Sequence, residues 1–225
     1  MRILVLGALA ALAACGGSDK PKGADTTPSP TASPALTAPD PQQLAAAAPD
    51  SFAVVIATSK GEVEVMVYRA WAPKGADRFH YLAANGFFNG ARFFRVLPGF
   101  VAQFGLSGNP VVNDVFDKFP LNDDLVKAKN EKGTLVFATA GPNTRTTQLF
   151  INLADNTKSL DAMGFAPFGR VVRGMDVVEK FYAGYGEGAP MGAGPDQGRI
   201  KTDGNGYLRS AFPELDSIAT AVVKK

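Results

Sequence analysis

The sequence predicts a mostly β protein, folded as a closed antiparallel β-barrel that is capped by two helices and followed by a C-terminal extension. Many short segments have the alternating or continuous apolar pattern of strands, and Gly, Pro and Asn separate them. Two segments of the same region repeat their apolar residues at helical spacing. This combination indicates a barrel closed at its ends by helices. The strands are predicted at 54–58, 62–68, 91–96, 100–104, 134–138, 148–153 and 165–172.

The first two strands are predicted to form a hairpin with one face in water. They flank a turn at 59–61, and Val63, Val65 and Val67 of the second strand alternate with glutamates. A helix should follow, because Pro73 suits a first helical turn and apolar residues recur behind it. Its inward stripe and its end are formed by Phe79, Leu82, Ala83, Asn85 and Gly86.

Two further helices are predicted near the C-terminus. The first covers 175–182 and completes a body that spans 51–182. The extension at 183–225 begins rich in glycine and is predicted to end in a C-terminal helix over 212–223. The apolar stripe of that last helix consists of Leu215, Ile218, Ala219 and Val222.

The composition excludes several kinds of chemistry. A formal net charge of +2 without a long basic run argues against nucleic acid as a partner. The chain has one cysteine, Cys15, and one histidine, His80, so the body lacks the residues for a Cys/His zinc site or for thiol catalysis. His80 lies on the first predicted helix without a ligand set near it, and we expect it to be structural. No metal and no cofactor are expected.

The N-terminus has the pattern of a secretory signal. Arg2 precedes an apolar run at 3–12, which is too short to span a bilayer as a helix. The next residues, Leu12-Ala13-Ala14-Cys15, resemble a bacterial lipobox, in which the preceding peptide is removed and the cysteine is lipidated. The resemblance implies a signal peptide at 1–14 and a lipid anchor on Cys15. A plain secretory signal with an incidental cysteine is the alternative.

Residues 15–50 are predicted to be a disordered tether. They are rich in Pro, Thr, Ser, Ala and Gly and contain almost no large apolar side chains, so they cannot bury enough surface to offset their chain entropy. With a lipid on Cys15, this tether would hold the body off a membrane of the bacterial cell envelope. The body would face outside the cytoplasm, in the periplasm or at the cell surface.

Two segments of the body have patterns that indicate function. The first, 93–103, places Arg95 among aromatic rings and close to the amide of Gln103, across the turn at 98–99. The second, 137–150, is a strand, a turn rich in Gly, Pro and Asn, and another apolar strand. The two segments resemble the signature motifs of the cyclophilins, the cyclosporin-type peptidyl-prolyl isomerases. The similarity extends over about 52–182, occurs in the family's order, and implies the cyclophilin-like barrel.

Isomerisation of a prolyl bond requires little from a protein besides a dry pocket and one well-placed donor. The barrier is roughly 18–20 kcal/mol because the C–N bond is partly double. A donor to the prolyl nitrogen lowers that barrier as the nitrogen recovers its lone pair. Arg95 is the predicted donor, Phe100 the apolar floor for the ring, and Gln103 the residue that holds the guanidinium.

The resemblance implies the rest of the pocket and its partners. The substrate would be a proline-containing unfolded or exported polypeptide, and the protein would act as a monomer. In the family, backbone groups of the strand that matches 138–140 contact the peptide. The positions that match the family's substrate contacts are Val101, Ala138, Thr139, Ala140, Gln148, Phe150, Leu160 and Phe165.

The chain departs from the family's pattern at three pocket positions. Ser159 stands where many members have a tryptophan, Thr139 replaces the usual asparagine, and Phe165 aligns with the customary histidine. These changes bear on cyclosporin binding more than on catalysis. A prolyl-segment-binding chaperone or scaffold with incidental isomerase activity is the alternative function, but binding alone would not need Arg95. A small-molecule barrel does not explain the arginine motif.

Overall fold

The computed structural model describes residues 33–224. Its centre is one eight-stranded, antiparallel sheet that curls on itself, with strand order β3-β4-β6-β5-β7-β2-β1-β8. The strands are β1 (Ser51–Thr58), β2 (Gly61–Tyr68), β3 (Arg95–Leu97), β4 (Val101–Phe104), β5 (Thr134–Phe137), β6 (Leu149–Asn152), β7 (Pro167–Arg173) and β8 (Ile218–Val223).

Within the described residues, seven helices surround the sheet. The sequence analysis predicted only two helices that cap the barrel. Two of the seven helices exceed ten residues, and none in the described part of the chain is long and apolar enough to cross a membrane. The helices are α1 (Pro34–Thr37), α2 (Pro41–Leu44), α3 (Pro73–Ala84), α4 (Pro110–Asp117), α5 (Thr157–Leu160), α6 (Met175–Val178) and α7 (Gln197–Ala211).

The core inside the curled sheet is built from phenylalanine. Phe79 of α3 lies 5.5 Å from Phe88 and 5.2 Å from Phe168 between ring centroids, and Phe137 stacks against Phe168 from β5. Aromatic pairs at these separations add about 0.5–1.5 kcal/mol each beyond the burial of their area. The structure confirms the predicted hairpin β1–β2 and the predicted helix α3. Both could be predicted because their residues follow strong local patterns.

The predicted C-terminal helix over 212–223 is wrong. Phe212 caps the end of α7, and β8 at 218–223 pairs with β1 in antiparallel register. The spacing of its apolar residues suits a helix, but β-branched residues such as Ile218 and Val222 also suit a strand. The free edge of β1 decides the outcome, since pairing satisfies backbone groups on both strands.

The predicted boundary at residue 182 therefore does not separate the extension from the body. The extension returns a strand to the sheet, and its α7 packs on Phe94 and Leu106 of the body through Ile200 and Leu208. The predicted second helix also ends early, at Val178. Residues 183–224 belong to the same folded unit as the body.

The end of the predicted tether is also ordered. Leu36 and Ala48 are buried against the core, and the hydroxyl of Tyr81 donates to the carbonyl of Ala35 at 2.7 Å. The amide of Ala48 donates to Asp77 Oδ1 at 2.8 Å. These contacts overturn the tether prediction for residues 33–50. The predicted signal peptide, Cys15 and the rest of the tether lie outside the described residues.

Candidate active site

The β3–β4 hairpin brings Arg95 and Gln103 together. Their Cα atoms are register partners, and Arg95 Nη1 donates to Gln103 Oε1 at 3.1 Å. The intervening turn closes with a hydrogen bond from the Phe100 amide to the Leu97 carbonyl at 2.9 Å. Gly99 has a φ of +74° there, in the left-handed region that glycine tolerates without steric cost. The turn also places the Phe100 ring 5.8 Å from the centre of the guanidinium.

The alternation of strands β4 and β6 puts the site on the face of the sheet opposite the core. Ala102 and Phe104 face the main core, whereas Val101 belongs to a separate apolar cluster with Phe150 and Leu160. Side chains of a strand alternate between faces, so Gln103 lies on the same face as Val101. An apolar surface and a polar amide therefore share one wall.

That wall lines a cavity of about 320 Å³. Its lining is mostly apolar, and Phe150 and Phe165 meet edge to face at 5.6 Å within it. The volume is at the small end of ligand pockets, as a single ring requires. Its lining residues are Arg95, Phe100, Val101, Gln103, Ala138, Thr139, Phe150, Ser159, Leu160, Met163 and Phe165.

A second, more polar cavity of about 660 Å³ shares Gln103, Ala138 and Thr139 with the first. The two remaining predicted residues, Ala140 and Gln148, line it. The structure thus brings all eleven predicted site residues to two adjoining cavities. The wall of the second cavity was otherwise not predicted, because its members are far apart in sequence: they include Asp117, Asn143, Thr144, Gln197 and Lys201.

A chain of amides connects the two cavities. Gln103 Nε2 donates to Gln148 Oε1 at 2.9 Å, while its own oxygen accepts from Arg95. The backbone at Gly105 lies close to the backbone at Gln148, and only glycine fits there: its φ is +96°, and a Cβ would lie 3.0 Å from the Cα of Gln148. The amide of Gln103 is therefore oriented at both ends.

The floor residue Phe100 is held from below by asparagines. Asn156 Nδ2 donates to the Phe100 carbonyl at 2.9 Å and to Asn152 Oδ1 at 2.7 Å. Asn152 Nδ2 in turn donates to Asn130 Oδ1 at 3.1 Å. Ser159 Oγ donates to the Asn156 carbonyl at 3.1 Å. Satisfied buried networks of this kind limit the movement of the groups they hold.

Two buried arginines support the segment after β5. Arg78 of α3 donates to the carbonyls of Phe119 and Thr146 at 2.9 and 3.2 Å, and burial, with help from the nearby Arg145, lowers the pKa of Arg78 to about 10. Arg145 pairs with Asp124 at 3.1 Å. The backbone of Ala140 is fixed locally by its N–H bond to Thr144 Oγ1 at 3.0 Å.

The site also contains residues that the sequence analysis missed. Met163 lines the smaller cavity, and Glu187 of the extension pairs with Arg95 through both carboxylate oxygens, at 2.6 and 2.7 Å. The bond from Arg95 is the main cause that lowers the pKa of Glu187, and burial opposes it. No sequence signal pointed to Glu187, which lies 92 positions from Arg95 in a glycine-rich stretch.

His80 lines neither cavity. Its ring packs edge to face on Phe52 at 4.8 Å, and burial lowers the pKa of His80. Among residues 33–224, no group of three or more His, Cys, Asp or Glu side chains is arranged to hold a metal ion.

Comparison with known proteins assigns this fold and site to a family. Residues 53–197 match the family described as cyclophilin type peptidyl-prolyl cis-trans isomerase/CLD. A peptidyl-prolyl cis-trans isomerase of Acinetobacter baylyi is 36% identical over 132 residues, which cover 56% of this chain and 70% of that protein. Isomerase B of Escherichia coli is 34% identical over 135 residues, 56% of this chain and 82% of that protein.

A solved structure shows the same fold. The cyclophilin type isomerase of Cryptosporidium parvum superposes with a TM-score of 0.56 at 19% identity, over 78% of this chain and 98% of that one. The matched residues include the arginine hairpin and all lining residues of the two cavities except Lys201. This chain belongs to the family of cyclophilin-type peptidyl-prolyl cis–trans isomerases.

Proposed function

We propose that this enzyme isomerises prolyl bonds of exported polypeptides by using Arg95 to stabilise the twisted amide. The observation that carries the proposal is the position of Arg95 on the wall of an apolar cavity, with its guanidinium bonded to Gln103. When the C–N bond rotates, the prolyl nitrogen loses conjugation and becomes an acceptor. An N–H group placed there stabilises the transition state more than the planar ground state.

The smaller cavity supplies the site for the proline ring. Phe100, Phe150 and Leu160 surround it with apolar surface, and transfer of the ring out of water contributes roughly 25 cal/mol per Å² of apolar surface buried. The peptide would extend along 138–140, the segment whose backbone contacts the substrate in the family, toward the larger cavity. No nucleophile, base or metal takes part in this mechanism.

The location proposed for the enzyme rests on the N-terminal sequence. The lipobox-like residues ending at Cys15 support a lipid anchor in the bacterial cell envelope, with the folded part outside the cytoplasm. Its clients would be unfolded or exported chains that contain proline, and it would act as a monomer. We also infer that the curled sheet is a closed barrel, since residues 90–93 share backbone hydrogen bonds with 216–218.

The alternative is a chaperone or scaffold that binds prolyl segments and whose isomerase activity is incidental. A protease-coupled assay with a proline-containing peptide separates the two functions. The purified full chain should shorten the cis-to-trans relaxation, which takes on the order of tens of seconds without a catalyst. Saturable binding of the peptide with a relaxation time that is barely shortened would support the alternative and contradict a primarily catalytic role.

A further inference from the structure

The guanidinium of Arg95 is held from two sides. Glu187 accepts from Nε at 2.6 Å and from Nη2 at 2.7 Å, and Gln103 accepts from Nη1 at 3.1 Å. A guanidinium has five N–H groups, so within the described residues three are engaged and two remain, one on each Nη atom. Arg95 lines the smaller cavity, which is the proposed site for the proline ring, and Glu187 does not. The Glu187 carboxylate therefore binds the Nε–Nη2 edge of the guanidinium from outside the smaller cavity.

The loop that carries Glu187 is closed tightly around it. The Gly188 amide donates to Glu187 Oε1 at 2.9 Å, and the Gly194 amide donates to the Glu187 carbonyl at 2.8 Å. A Cβ at Gly194 would lie 2.8 Å from that carbonyl, and one at Gly192 would overlap it. The glycines of this stretch thus permit a compact turn whose backbone fixes the direction of the carboxylate.

Both ends of the loop are attached to the rest of the extension. On the N-terminal side the ring of Tyr185 packs edge to face on Phe212 at 5.0 Å. On the C-terminal side Asp196 caps α7, where its carboxylate accepts from the Arg199 amide at 2.8 Å, and its own amide donates to the Tyr207 hydroxyl at 3.1 Å. Glu187 is therefore presented by an anchored segment.

We propose that Glu187 is a positioning residue for the isomerase reaction, which holds Arg95 so that its two remaining N–H groups serve the prolyl nitrogen. The inference rests on the proposed role of Arg95. A bidentate carboxylate fixes the plane of a guanidinium, which a single amide oxygen such as that of Gln103 cannot do. Donors that are already oriented need no reorganisation when the amide twists, and that is the condition for strong transition-state stabilisation.

The opposite role for Glu187 would be a restraint that withholds Arg95 from substrate. The geometry favours positioning, because one N–H of each Nη atom has no bond to the described residues and Arg95 still lines the smaller cavity. The two roles predict opposite changes in kcat when the carboxylate is removed. Removal of a positioning carboxylate lowers kcat, and removal of a restraint raises it.

The test compares Glu187→Gln, Arg95→Ala and Glu179→Gln in the full chain. Glutamine keeps the size of the side chain but cannot accept both charge-assisted bonds. Glu179 pairs with Lys132 on the surface and serves as the matched control. We expect Glu187→Gln to lower kcat about tenfold with little change in KM, since a misplaced catalytic group costs rate more than binding. NMR of the Arg95 Nε–H should show faster exchange with water, and Glu179→Gln should change neither quantity.

Each outcome decides between the proposals. Unchanged or raised kcat in Glu187→Gln, with Arg95→Ala inactive, overturns the positioning role and leaves the proposed function standing. Near-normal activity of folded Arg95→Ala overturns the proposed mechanism itself. A lowered kcat in Glu187→Gln with an unaltered Arg95 Nε–H signal also overturns the inference, because the loss would then arise elsewhere in the fold.

Discussion

Gln103 lies opposite Arg95 across the β3–β4 hairpin, and its amide oxygen accepts a hydrogen bond from the guanidinium at 3.1 Å. The pairing comes from the register of two short strands, so the hairpin itself places the donor opposite the residue that orients it. Electrostatic stabilisation of a transition state depends on such prior orientation. The consequences for activity, pH dependence, localisation and inhibition can each be measured.

Arg95→Ala should lower the turnover of prolyl-peptide isomerisation by a factor of about 100 or more, because a donor used mainly in the transition state contributes roughly 3 kcal/mol. The fold should persist, since the side chain lies at a cavity wall and outside the main core. The protease-coupled assay measures the rate, and circular dichroism serves as the folding control. A folded variant with normal turnover would refute the mechanism.

The rate should be nearly flat between about pH 6 and 8, because no group in the proposed chemistry titrates there. The pKa of Glu187 is lowered by its bond to Arg95, which moves its titration further below this range. His80 is on a different surface from the cavities. The measurement is kcat/KM at several pH values with a constant ionic strength. A bell-shaped profile would point to a titrating catalyst and would contradict the mechanism.

His80 should make stability fall as the pH drops below about 6.5. In the folded state, burial lowers the pKa of His80 below its ordinary value of about 6.5, so the unfolded chain binds the proton more readily. Stability is therefore fully present above pH 6.5 and decreases below it. Urea midpoints at pH 5.5 and 7.5 measure the effect. His80→Gln should remove the part of the difference that comes from this residue, and an unchanged difference would contradict the assignment.

Cys15→Ser should abolish lipid attachment. Cys15 is the only thiol in the chain, and the apolar run before it is too short to span a bilayer. We expect the variant to remain an unlipidated precursor or to appear in the soluble fraction. Mass spectrometry and membrane fractionation measure this. If the mass and the membrane fraction equal those of the unaltered protein, the cysteine carries no anchor.

Cyclosporin should inhibit this enzyme weakly. In the family, a tryptophan packs beside the ligand and donates its indole N–H, and Ser159 occupies that place on the cavity wall with its hydroxyl bonded to Asn156. Loss of one buried hydrogen bond and part of an aromatic contact should cost roughly 2–4 kcal/mol, a factor of about 30 to 1,000 in affinity. Inhibition titrations measure it.

The matched variant for cyclosporin is Ser159→Trp. It should strengthen inhibition more than it changes turnover, because the proposed mechanism places the proline ring against Phe100 and Phe150, which line the same cavity. Nanomolar inhibition of the unaltered protein would show that position 159 does not limit cyclosporin binding.

Much of the site was predictable because its key relationship is local. Arg95 and Gln103 are eight residues apart across a Pro-Gly turn, and a turn of that type sets the register of a short hairpin. The β1–β2 hairpin and α3 are local in the same way, since the spacing of their apolar residues and the residues of their turns were enough to predict them. The resemblance to a known family then located Phe150, Leu160 and Phe165.

Contacts between distant segments were beyond the reach of pattern reasoning. The helix predicted over 212–223 is wrong because the segment pairs with the free edge of β1, and the disorder predicted around Leu36 is wrong because that segment is buried against the core. Neither edge pairing nor burial is visible in a local window, because both depend on surfaces formed by the rest of the chain.

The sequence alone predicted seven of the eight strands and the hairpin that carries Arg95, because these follow from neighbouring residues and turn geometry. Only the tertiary structure decided that the extension supplies the last strand and that Glu187 meets Arg95 across 92 positions. The physical reason is that such a contact depends on how the glycine-rich loop closes and where α7 anchors it.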